Sequence, residues 1–268
     1  METDPMTSAL IGHTGFVGSN LDRPDRFQAR FNSQNFREMA GQRFEQLVCA
    51  GISAVKWQAN RDPEADRARI AALEAVLATV EADRVILIST VDVHPDLTGA
   101  DEASDCHAAD NHAYGRHRLA FEEFVRNRFP TVHILRLPGL FGPGLKKNVI
   151  FDLLHDNGLD AINPASAFQW YDVGRLWNDL GIAVEHGLPL VNLMTEPVET
   201  STIVERVFPG TAIGAKAGPA VRYDVRTRHA ALFGGSADGE SGTGHIATAA
   251  QVLDAIGAYV ASVRAGKA

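Results

Sequence analysis

Residues 8–18 have the sequence Ser-Ala-Leu-Ile-Gly-His-Thr-Gly-Phe-Val-Gly, and this stretch decides the fold. Residues 8–11 are a short apolar run that leads into a turn with glycine at every third position. Residues 16–21 then indicate a brief helix, which Pro24 ends. A strand that passes through a glycine-rich turn into a helix is typical of the first unit of a doubly wound α/β fold.

The three glycines of this turn suit the approach of a pyrophosphate group. One allows the tight turn, one lets backbone amides reach the phosphates, and one lets the helix pack on the strand. The helix N-terminus adds free N–H groups and partial positive charge. A plain strand-to-helix turn is the alternative, but the position between a strand and a helix favours a dinucleotide site. The predicted cofactor-binding residues of the turn are Gly12, Thr14, Gly15, Phe16, Val17 and Gly18.

Strands and helices alternate along the first 135 residues. Apolar runs predict strands at 27–32, 47–50, 84–89 and 132–135, and helical periodicity predicts helices at 64–80 and 113–128. This alternation predicts a parallel sheet with right-handed crossovers. We therefore predict a Rossmann-type α/β fold, a doubly wound parallel sheet with a smaller C-terminal lobe.

The pattern changes after Pro138, where glycine and proline indicate a loop. Helices are predicted at 148–156, 172–186 and 248–264, a strand at 190–193, and a mobile loop at 234–244, which is rich in glycine and serine. We predict a dinucleotide-binding domain at 1–138, to which 168–193 returns. Most of 139–268 is expected to form a substrate lobe.

Composition and charge disfavour several classes of protein. The net charge of −8 over 268 residues disfavours nonspecific binding to nucleic acid or to an anionic membrane. Two cysteines without a CxxC pair favour a reducing compartment, and no apolar run reaches the length of a membrane span. The acidic, polar N-terminus is unlike a signal peptide, so the cytoplasm is expected. His107, His112 and His117 have a spacing that suits no metal site, and none is predicted.

The acidic residue that would bind the adenosine ribose is missing at the end of the second predicted strand. Asn32 and Ser33 occupy that position, and both are predicted to contact the cofactor. Without the acid a 2′-phosphate is not repelled, so NAD and NADP both remain open, with a slight preference for NADP. Arg30 and Arg37 are equally well explained as phosphate partners or as surface arginines.

A hydroxyl, a tyrosine and a cation suggest a proton-transfer site. Ser89 and Thr90 close the fourth predicted strand, and ligands of such sheets lie beyond the carboxyl ends of strands. Tyr114 and Arg118 share one helix face because they are four residues apart. A nearby cation favours the phenolate, whose formation at neutral pH otherwise costs about 4 kcal/mol.

Together these motifs resemble the extended short-chain dehydrogenase/reductases, in particular the NAD-dependent epimerase/dehydratase family. The pattern is GxxGxxG, then a strand-end Ser-Thr, then a YxxxK-like helix. The resemblance continues through the stretches at 50–64, 136–148, 168–180 and 190–193. It implies an NAD(P)-dependent oxidoreductase or epimerase that acts on a nucleotide-activated sugar, and it suggests a homodimer.

The resemblance also implies roles for individual residues. Tyr114 would be the acid/base, Thr90 the hydrogen-bond donor to the reacting carbonyl, and Arg118 the holder of the nicotinamide ribose. Further cofactor contacts are implied at Ala50, Gly51, Ser89, Pro138 and Leu140. The predicted substrate-binding residues are Asp92, Lys147, Asn148 and Arg226.

Two departures from the family pattern matter. Arg118 replaces the lysine of YxxxK, and arginine does not readily relay a proton. Val91 stands where 4,6-dehydratases carry an acid, which argues against dehydration. The alternative function is a dinucleotide-binding sensor or scaffold without catalysis.

Several other candidates have a structural explanation as well as a functional one. Lys146 and Lys147 are either diphosphate ligands or a solvated pair, and Arg226 and Arg228 pose the same alternative. Trp57 and Trp170 line a sugar pocket in the functional interpretation, although filling of the core is the expected role for each of them.

Overall fold

The computed structural model describes residues 7–235 and 244–266. The chain divides into two compact units. The first contains the described residues of Met1–Pro95, Ser104–Arg136 and Trp177–Val191. The second contains those of Asp96–Ala103, Leu137–Leu176 and Asn192–Ala268.

A six-stranded sheet organises the first unit. The strands of the chain are β1 (Ser8–Ile11), β2 (Ala29–Phe31), β3 (Arg43–Cys49), β4 (Glu81–Thr90), β5 (Val132–Leu137), β6 (Gly139–Phe141), β7 (Ala167–Phe168), β8 (Trp170–Asp172), β9 (Leu190–Asn192) and β10 (Val198–Glu199). The large sheet has the order β2-β1-β3-β4-β5-β9. β1 pairs in parallel with β2 and β3, and β3 pairs in parallel with β4. The predicted Rossmann-type α/β fold is confirmed.

Helices flank this sheet. The α-helices of the described residues, in both units, are α1 (Phe16–Leu21), α2 (Lys56–Arg61), α3 (Pro63–Leu77), α4 (Ala113–Arg128), α5 (Val149–Leu154), α6 (Leu176–Glu185), α7 (Thr200–Val207) and α8 (Ala249–Arg264). α3 begins where the side chain of Asp62 accepts a hydrogen bond from the Ala65 amide, with Pro63 in its first turn. α4 begins where His112 accepts from the Gly115 amide.

Apolar residues of the strands and of two helices form the core of the first unit. Parallel strands covered on both faces carry nearly continuous apolar runs, as β1, β3 and β4 do here. The buried cluster includes Ile11, Phe44, Leu47 and Leu87 of the sheet, Ile70 and Leu73 of α3, and Phe121 and Val125 of α4. Ile70 and Leu73 in α3, like Phe121 and Val125 in α4, recur at helical spacing. This spacing explains why both helices could be predicted from the sequence.

Element boundaries differ from the sequence prediction where pairing overrides local pattern. β3 and β4 begin earlier than predicted, because Arg43 pairs with Glu81 at the polar start of both strands. β2 is shorter than the predicted 27–32, and Phe27 instead packs edge-on against Trp177 at 5.8 Å between ring centroids. The predicted helix at 172–186 begins as a 3-10 turn at Val173–Arg175 before α6.

The described residues of the second unit include two small sheets and the α-helices α5, α7 and α8. β6 pairs in parallel with β8, and β7 pairs in antiparallel with β10. Phe141, Trp170, Val204 and Ile256 are among the buried residues of its core. α8 starts at a capping box in which Thr248 and Gln251 exchange hydrogen bonds with each other's backbone. The predicted mobile loop at 234–244 lies mostly outside the described residues, which omit 236–243.

Neither a membrane span nor a metal centre is found in the two described ranges. None of their helices combines the length and the apolar character that crossing a bilayer requires. Their His, Cys, Asp and Glu side chains form no group of three or more that is placed to hold a metal ion.

Candidate active site

Two glycines of the first turn are required by the packing of the protein itself. Gly12 has φ +88°, and a Cβ there would lie 2.4 Å from the carbonyl oxygen of Ala50. A Cβ on Gly18 would lie 2.0 Å from the carbonyl oxygen of Gly12, so α1 packs directly on the turn. These contacts explain the first and third glycines without any ligand.

Gly15 is different, because little in the protein demands a glycine there. Its φ of −78° is accessible to any residue, and it stands at the N-cap of α1. The nearest atom to a Cβ at Gly15 would be the Gly12 carbonyl oxygen, at 3.3 Å. A glycine at this point suits the close approach of a diphosphate to the backbone amides, which is the feature that fits a dinucleotide.

The end of β2 is polar but carries no acid. Asn32 follows the strand, and its Nδ2 lies 3.3 Å from Nε2 of His13 in the glycine turn. The Asn32 Oδ1 atom accepts from the Gln34 amide at 2.8 Å, which organises the following turn. Arg30 donates from Nε to Asp22 at 2.7 Å and from its other nitrogens to the carbonyls of Phe27 and Arg23. Arg30 is therefore a structural arginine in this arrangement.

The ends of β1 and β3 approach each other closely. Ala50 donates its amide proton to the carbonyl of Ile11 at 2.9 Å. A Cβ on Gly51 would lie 2.6 Å from Cγ2 of Ile11. Ala50 and Gly51 thus border the same turn as Gly12, although the small size of Gly51 is explained by Ile11 alone.

Ser89, at the end of β4, is tied to a buried ion pair. Its hydroxyl donates to Oε1 of Glu122 at 2.6 Å. Arg136 holds both oxygens of Glu122, with Nε at 3.0 Å from Oε1 and Nη2 at 2.6 Å from Oε2. Glu122 is 0% exposed and Arg136 is 2% exposed. The proton of the Ser89 hydroxyl is therefore used in the hydrogen bond to Glu122.

Thr90, the last residue of β4, and Asp92 form a polar pair at the end of this strand. The Thr90 hydroxyl oxygen accepts from the Asp92 amide at 3.2 Å and lies 3.5 Å from Oδ2 of Asp92. Asp92 Oδ1 lies 2.7 Å from Nζ of Lys56, the first residue of α2. Lys56 is the more exposed partner, with 35% of its side chain accessible against 14% for Asp92.

Tyr114 lies in the first turn of α4, near Thr90 and Asp92. Its backbone amide donates to Oδ1 of Asn60 at 2.9 Å. The side chain is buried, and this burial raises the pKa of Tyr114 above its usual value near 10. The charge of Arg118 and the hydrogen bond from Thr90 oppose that rise without cancelling it.

Arg118 shares the predicted helix face with Tyr114 and stacks on its ring, with Cζ 4.0 Å from the ring centroid. The guanidinium is also bound to Asp66 of α3, with Nη2 3.0 Å from Oδ1 and Nη1 on Oδ2. Nη2 donates further to the Ser53 carbonyl at 2.6 Å. The cation of the YxxxK-like motif is therefore already paired with a buried carboxylate.

Asp66 and Lys56 are site residues that the sequence analysis missed. Asp66 also accepts from His117 Nδ1 at 2.8 Å. Desolvation alone would raise the pKa of Asp66, but hydrogen bonds from Arg118 and His117 outweigh it and lower that pKa. The sequence did contain a signal for Asp66, because this acid lies on the same face of α3 as the apolar residues Ile70 and Leu73. An isolated acid on an apolar face requires a partner.

The proposed substrate residues other than Asp92 lie in the second unit. Asn148 has φ +120°, which is rare for a residue with a side chain. Its Nδ2 donates to the Leu140 carbonyl at 2.8 Å, and its Oδ1 accepts from the Phe151 amide at 3.1 Å. The Asn148 amide thus fixes the loop between β6 and α5. Lys147 and Arg226 are exposed, and Pro138 is half-buried beside β6.

The two tryptophans have opposite environments. Trp170 is 3% exposed in the core of the second unit, as expected for a residue that fills a core. Trp57 is 62% exposed, so the expectation that it fills the core is wrong. Arg61, one turn later on the short helix α2, lies over its ring with Cζ 5.0 Å from the centroid.

The glycine turn and the strand-end tyrosine site define a Rossmann-type fold whose features fit a dinucleotide.

No family model and no curated protein sequence matches the chain. Solved structures do share the fold across nearly the whole chain. One is MoeE5 in complex with UDP-glucose and NAD, with 16% identity, a TM-score of 0.69, and coverage of 98% of this chain and 100% of that one.

Two further similar structures extend the comparison. A dTDP-4-dehydrorhamnose reductase from Clostridium acetobutylicum has 14% identity and a TM-score of 0.71, with coverage of 97% of this chain and 100% of that one. RMD from Pseudomonas aeruginosa, complexed with NADPH, has 17% identity and a TM-score of 0.68, with coverage of 96% and 100%. The fold implied by the resemblance to extended short-chain dehydrogenase/reductases is therefore confirmed, at identities that establish fold alone.

Proposed function

We propose that this protein is an NAD(P)-dependent oxidoreductase or epimerase that acts on a nucleotide-activated sugar. The observation that carries this proposal is the buried Tyr114 with Arg118 stacked on its ring at 4.0 Å, while Thr90 at the carboxyl end of β4 is among the groups that act on the pKa of its phenol. Ligands of open parallel sheets bind at such strand ends. The similar structure of MoeE5 holds UDP-glucose and NAD, which supports both the substrate class and the cofactor.

The dinucleotide would be held by the glycine turn, with its diphosphate at Gly15 and the amides of Phe16 and Val17. Asn32 and Ser33 would face the adenosine ribose. NAD and NADP remain the two candidates, since the similar structures include complexes with NAD and with NADPH. The missing acid favours NADP slightly, although the contacts of Arg30 remove it as a 2′-phosphate ligand.

Tyr114 would exchange a proton with the reacting oxygen of the sugar, and Thr90 would hydrogen-bond to that oxygen. When bound, the nicotinamide supplies the hydride chemistry. Arg118 would act through its charge on the Tyr114 ring rather than as a free ribose ligand, because Asp66 and the Ser53 carbonyl occupy its nitrogens Nη1 and Nη2. The third side-chain nitrogen of Arg118, Nε, has no hydrogen-bond partner among the described residues.

The environment of Tyr114 favours one direction of proton transfer. Burial raises its pKa, so the neutral phenol is the stable form at physiological pH. A neutral phenol is a proton donor, which suits the protonation of the oxygen formed when a carbonyl is reduced. In the direction of reduction, Tyr114 would therefore be the proton donor.

The sugar nucleotide would be gripped away from the reacting centre. Lys147 and Arg226 are exposed cations that suit a diphosphate, and Asn148 and Asp92 complete the proposed substrate set. Binding energy from the distant nucleotide would orient the sugar for reaction. In this proposal the first unit carries the dinucleotide and most of the second serves the substrate. A cytoplasmic homodimer remains a prediction.

Calorimetric titration with NAD, NADH, NADP and NADPH tests the first step of the proposal. Tight binding of one pair identifies the cofactor and justifies a screen of UDP- and dTDP-sugars for turnover. Tyr114→Phe should then bind the dinucleotide normally and lose about 10²- to 10⁴-fold in kcat. Unchanged turnover in that variant would contradict the catalytic assignment.

A second candidate function is a sensor or scaffold that binds the dinucleotide without catalysis. The ion pair of Arg118 with Asp66 favours this alternative, because it withholds the cation from the ribose. A simple measurement of turnover distinguishes the two functions. A sensor binds one dinucleotide tightly and shows no turnover with any sugar nucleotide, and Tyr114→Phe then changes nothing.

A further inference from the structure

The N-cap of α4 is a histidine, His112, where serine, threonine, aspartate or asparagine is usual. Its Nδ1 accepts a hydrogen bond from the Gly115 amide at 3.0 Å. Because a backbone amide only donates, Nδ1 must present a lone pair, and the ring proton of the neutral imidazole is then on Nε2. The helix cap therefore fixes one tautomer of His112 and leaves Nε2–H as its outward donor.

The surroundings of His112 keep this ring neutral. Protonation would set an N–H on Nδ1 against the N–H of Gly115, at a helix start that already carries partial positive charge. Burial first, and then the charges of Lys56 and Arg116, lower the pKa of His112, and the opposing effect of Asp92 is smaller. At neutral pH the imidazole is therefore an uncharged hydrogen-bond donor.

The Nε2 atom of His112 lies at the same strand end as the candidate acid/base. It is 4.0 Å from Asp92 Oδ1, which is too far for a hydrogen bond, and that oxygen already binds Lys56 at 2.7 Å. No residue in the described part of the chain accepts a hydrogen bond from Nε2. The His112 ring meets the Tyr114 ring edge to face, with centroids 6.2 Å apart. Its side chain is 32% exposed whereas Tyr114 is buried, so a ligand can reach Nε2 directly.

We propose that His112 is a further catalytic residue, whose Nε2–H donates a hydrogen bond to the reacting oxygen of the sugar beside Tyr114. This inference rests on the proposed function and adds a residue to its site. A neutral imidazole held by a helix N-terminus can polarise a carbonyl without giving up its proton. In reduction the oxygen takes one proton, from the Tyr114 phenol. His112 keeps its own proton and stabilises the negative charge that develops on the oxygen.

Nitrogen NMR tests the state of the ring without any substrate. Long-range nitrogen–proton correlations distinguish Nδ1 from Nε2, and the signals of His112 are identified by their loss in His112→Asn. We expect the neutral Nε2–H tautomer at neutral pH. An Nδ1–H tautomer or a charged ring at that pH would overturn the inference, since neither leaves the donor that it requires.

The variant His112→Asn separates the helix cap from the contact with substrate. Asparagine is a good N-cap, so its amide oxygen can accept from Gly115, but its shorter side chain does not place a donor at the position of Nε2. Stability should therefore be kept in His112→Asn and fall in His112→Ala. Both variants should lose about 10²- to 10³-fold in kcat towards the UDP- or dTDP-sugar that the wild type turns over.

His107→Asn is the matched control, because His107 is an exposed histidine that pairs with Glu123. It should retain full activity. Turnover that survives in folded His112→Asn contradicts this inference alone and leaves the proposed function intact. Absence of turnover in the wild type with every UDP- and dTDP-sugar contradicts the proposed function, and the catalytic role of His112 with it.

Discussion

Asp66 of α3 and Arg118 of α4 form a buried two-point ion pair, with Oδ1 3.0 Å from Nη2 and Oδ2 bound to Nη1. Both residues are at most 4% exposed. Such a geometry satisfies a planar guanidinium in a way that a lysine ammonium cannot match. The arginine in the YxxxK-like motif is therefore explained by its partner on α3, 52 residues earlier in the chain.

Loss of Arg118 should destabilise the fold. Arg118→Met leaves Asp66 buried with His117 and with the more distant Arg69, 3.9 Å away. Removal of one partner from a buried pair costs about 3–5 kcal/mol. Urea denaturation of Arg118→Met and of the double variant Asp66→Asn/Arg118→Met measures this cost. The double variant should recover much of the stability, since it buries no unpaired charge. Equal losses in both proteins would contradict the explanation.

The same pair predicts how stability depends on acid. The folded state lowers the pKa of Asp66 below its unfolded value of about 3.9. The resulting stabilisation is complete above that unfolded value and is lost as the pH falls through the lower, folded value. Unfolding free energies measured between pH 7 and pH 2 should therefore show the wild type converging towards Asp66→Asn at low pH. A constant gap between the two proteins would be the contrary result.

The three glycines of the first turn should respond differently to alanine. Gly18→Ala places a Cβ 2.0 Å from the Gly12 carbonyl and should reduce stability by more than about 2 kcal/mol. Gly15→Ala meets its nearest atom at 3.3 Å and should change stability by less than about 1 kcal/mol.

For dinucleotide affinity the order should be reversed, with Gly15→Ala the more damaging substitution. In Gly15→Ala the Kd should rise by at least about tenfold, because the new methyl group faces the predicted diphosphate. Thermal unfolding and calorimetry on the same preparations separate the two effects. Normal affinity in a folded Gly15→Ala protein would count against the diphosphate position.

The rate of the proposed reaction should depend on pH through Tyr114. Because burial raises its pKa above about 10, reduction should need the phenol and stay level from neutral pH upward until the phenol ionises. Oxidation of the alcohol should instead accelerate with rising pH. Profiles of kcat in both directions check this prediction. A bell-shaped profile centred near neutral pH would assign the acid/base to another group.

The sequence predicted the elements whose signals are local. The apolar runs of β1, β3 and β4 and the periodic faces of α3 and α4 lie within single stretches of chain. Spacing of four residues also brought Tyr114 and Arg118 to one face, and the 4.0 Å stack follows from that spacing. The helix α2 was missed, whereas α1, which also has six residues, was recognised from the glycine turn that precedes it.

The partners of the site could not be predicted, because they depend on tertiary structure. Lys56 meets Asp92 across 36 residues of sequence, and Ser89 meets Glu122 across 33. No spacing rule connects such pairs, since their distance is set by how α2 and α4 pack on the sheet. Asn148 is a related case, because its positive φ is set by the loop that its own amide holds together.

Trp57 provides an optical probe at this site. It is 62% exposed and follows Lys56 directly, while Trp170 is buried and Trp177 packs against Phe27. An exposed indole emits at longer wavelength and is open to collisional quenchers, so its signal separates from that of the other two tryptophans. Events at the start of α2, including ligand arrival, can therefore be followed by fluorescence in the unlabelled protein, with Trp57→Phe as the blank.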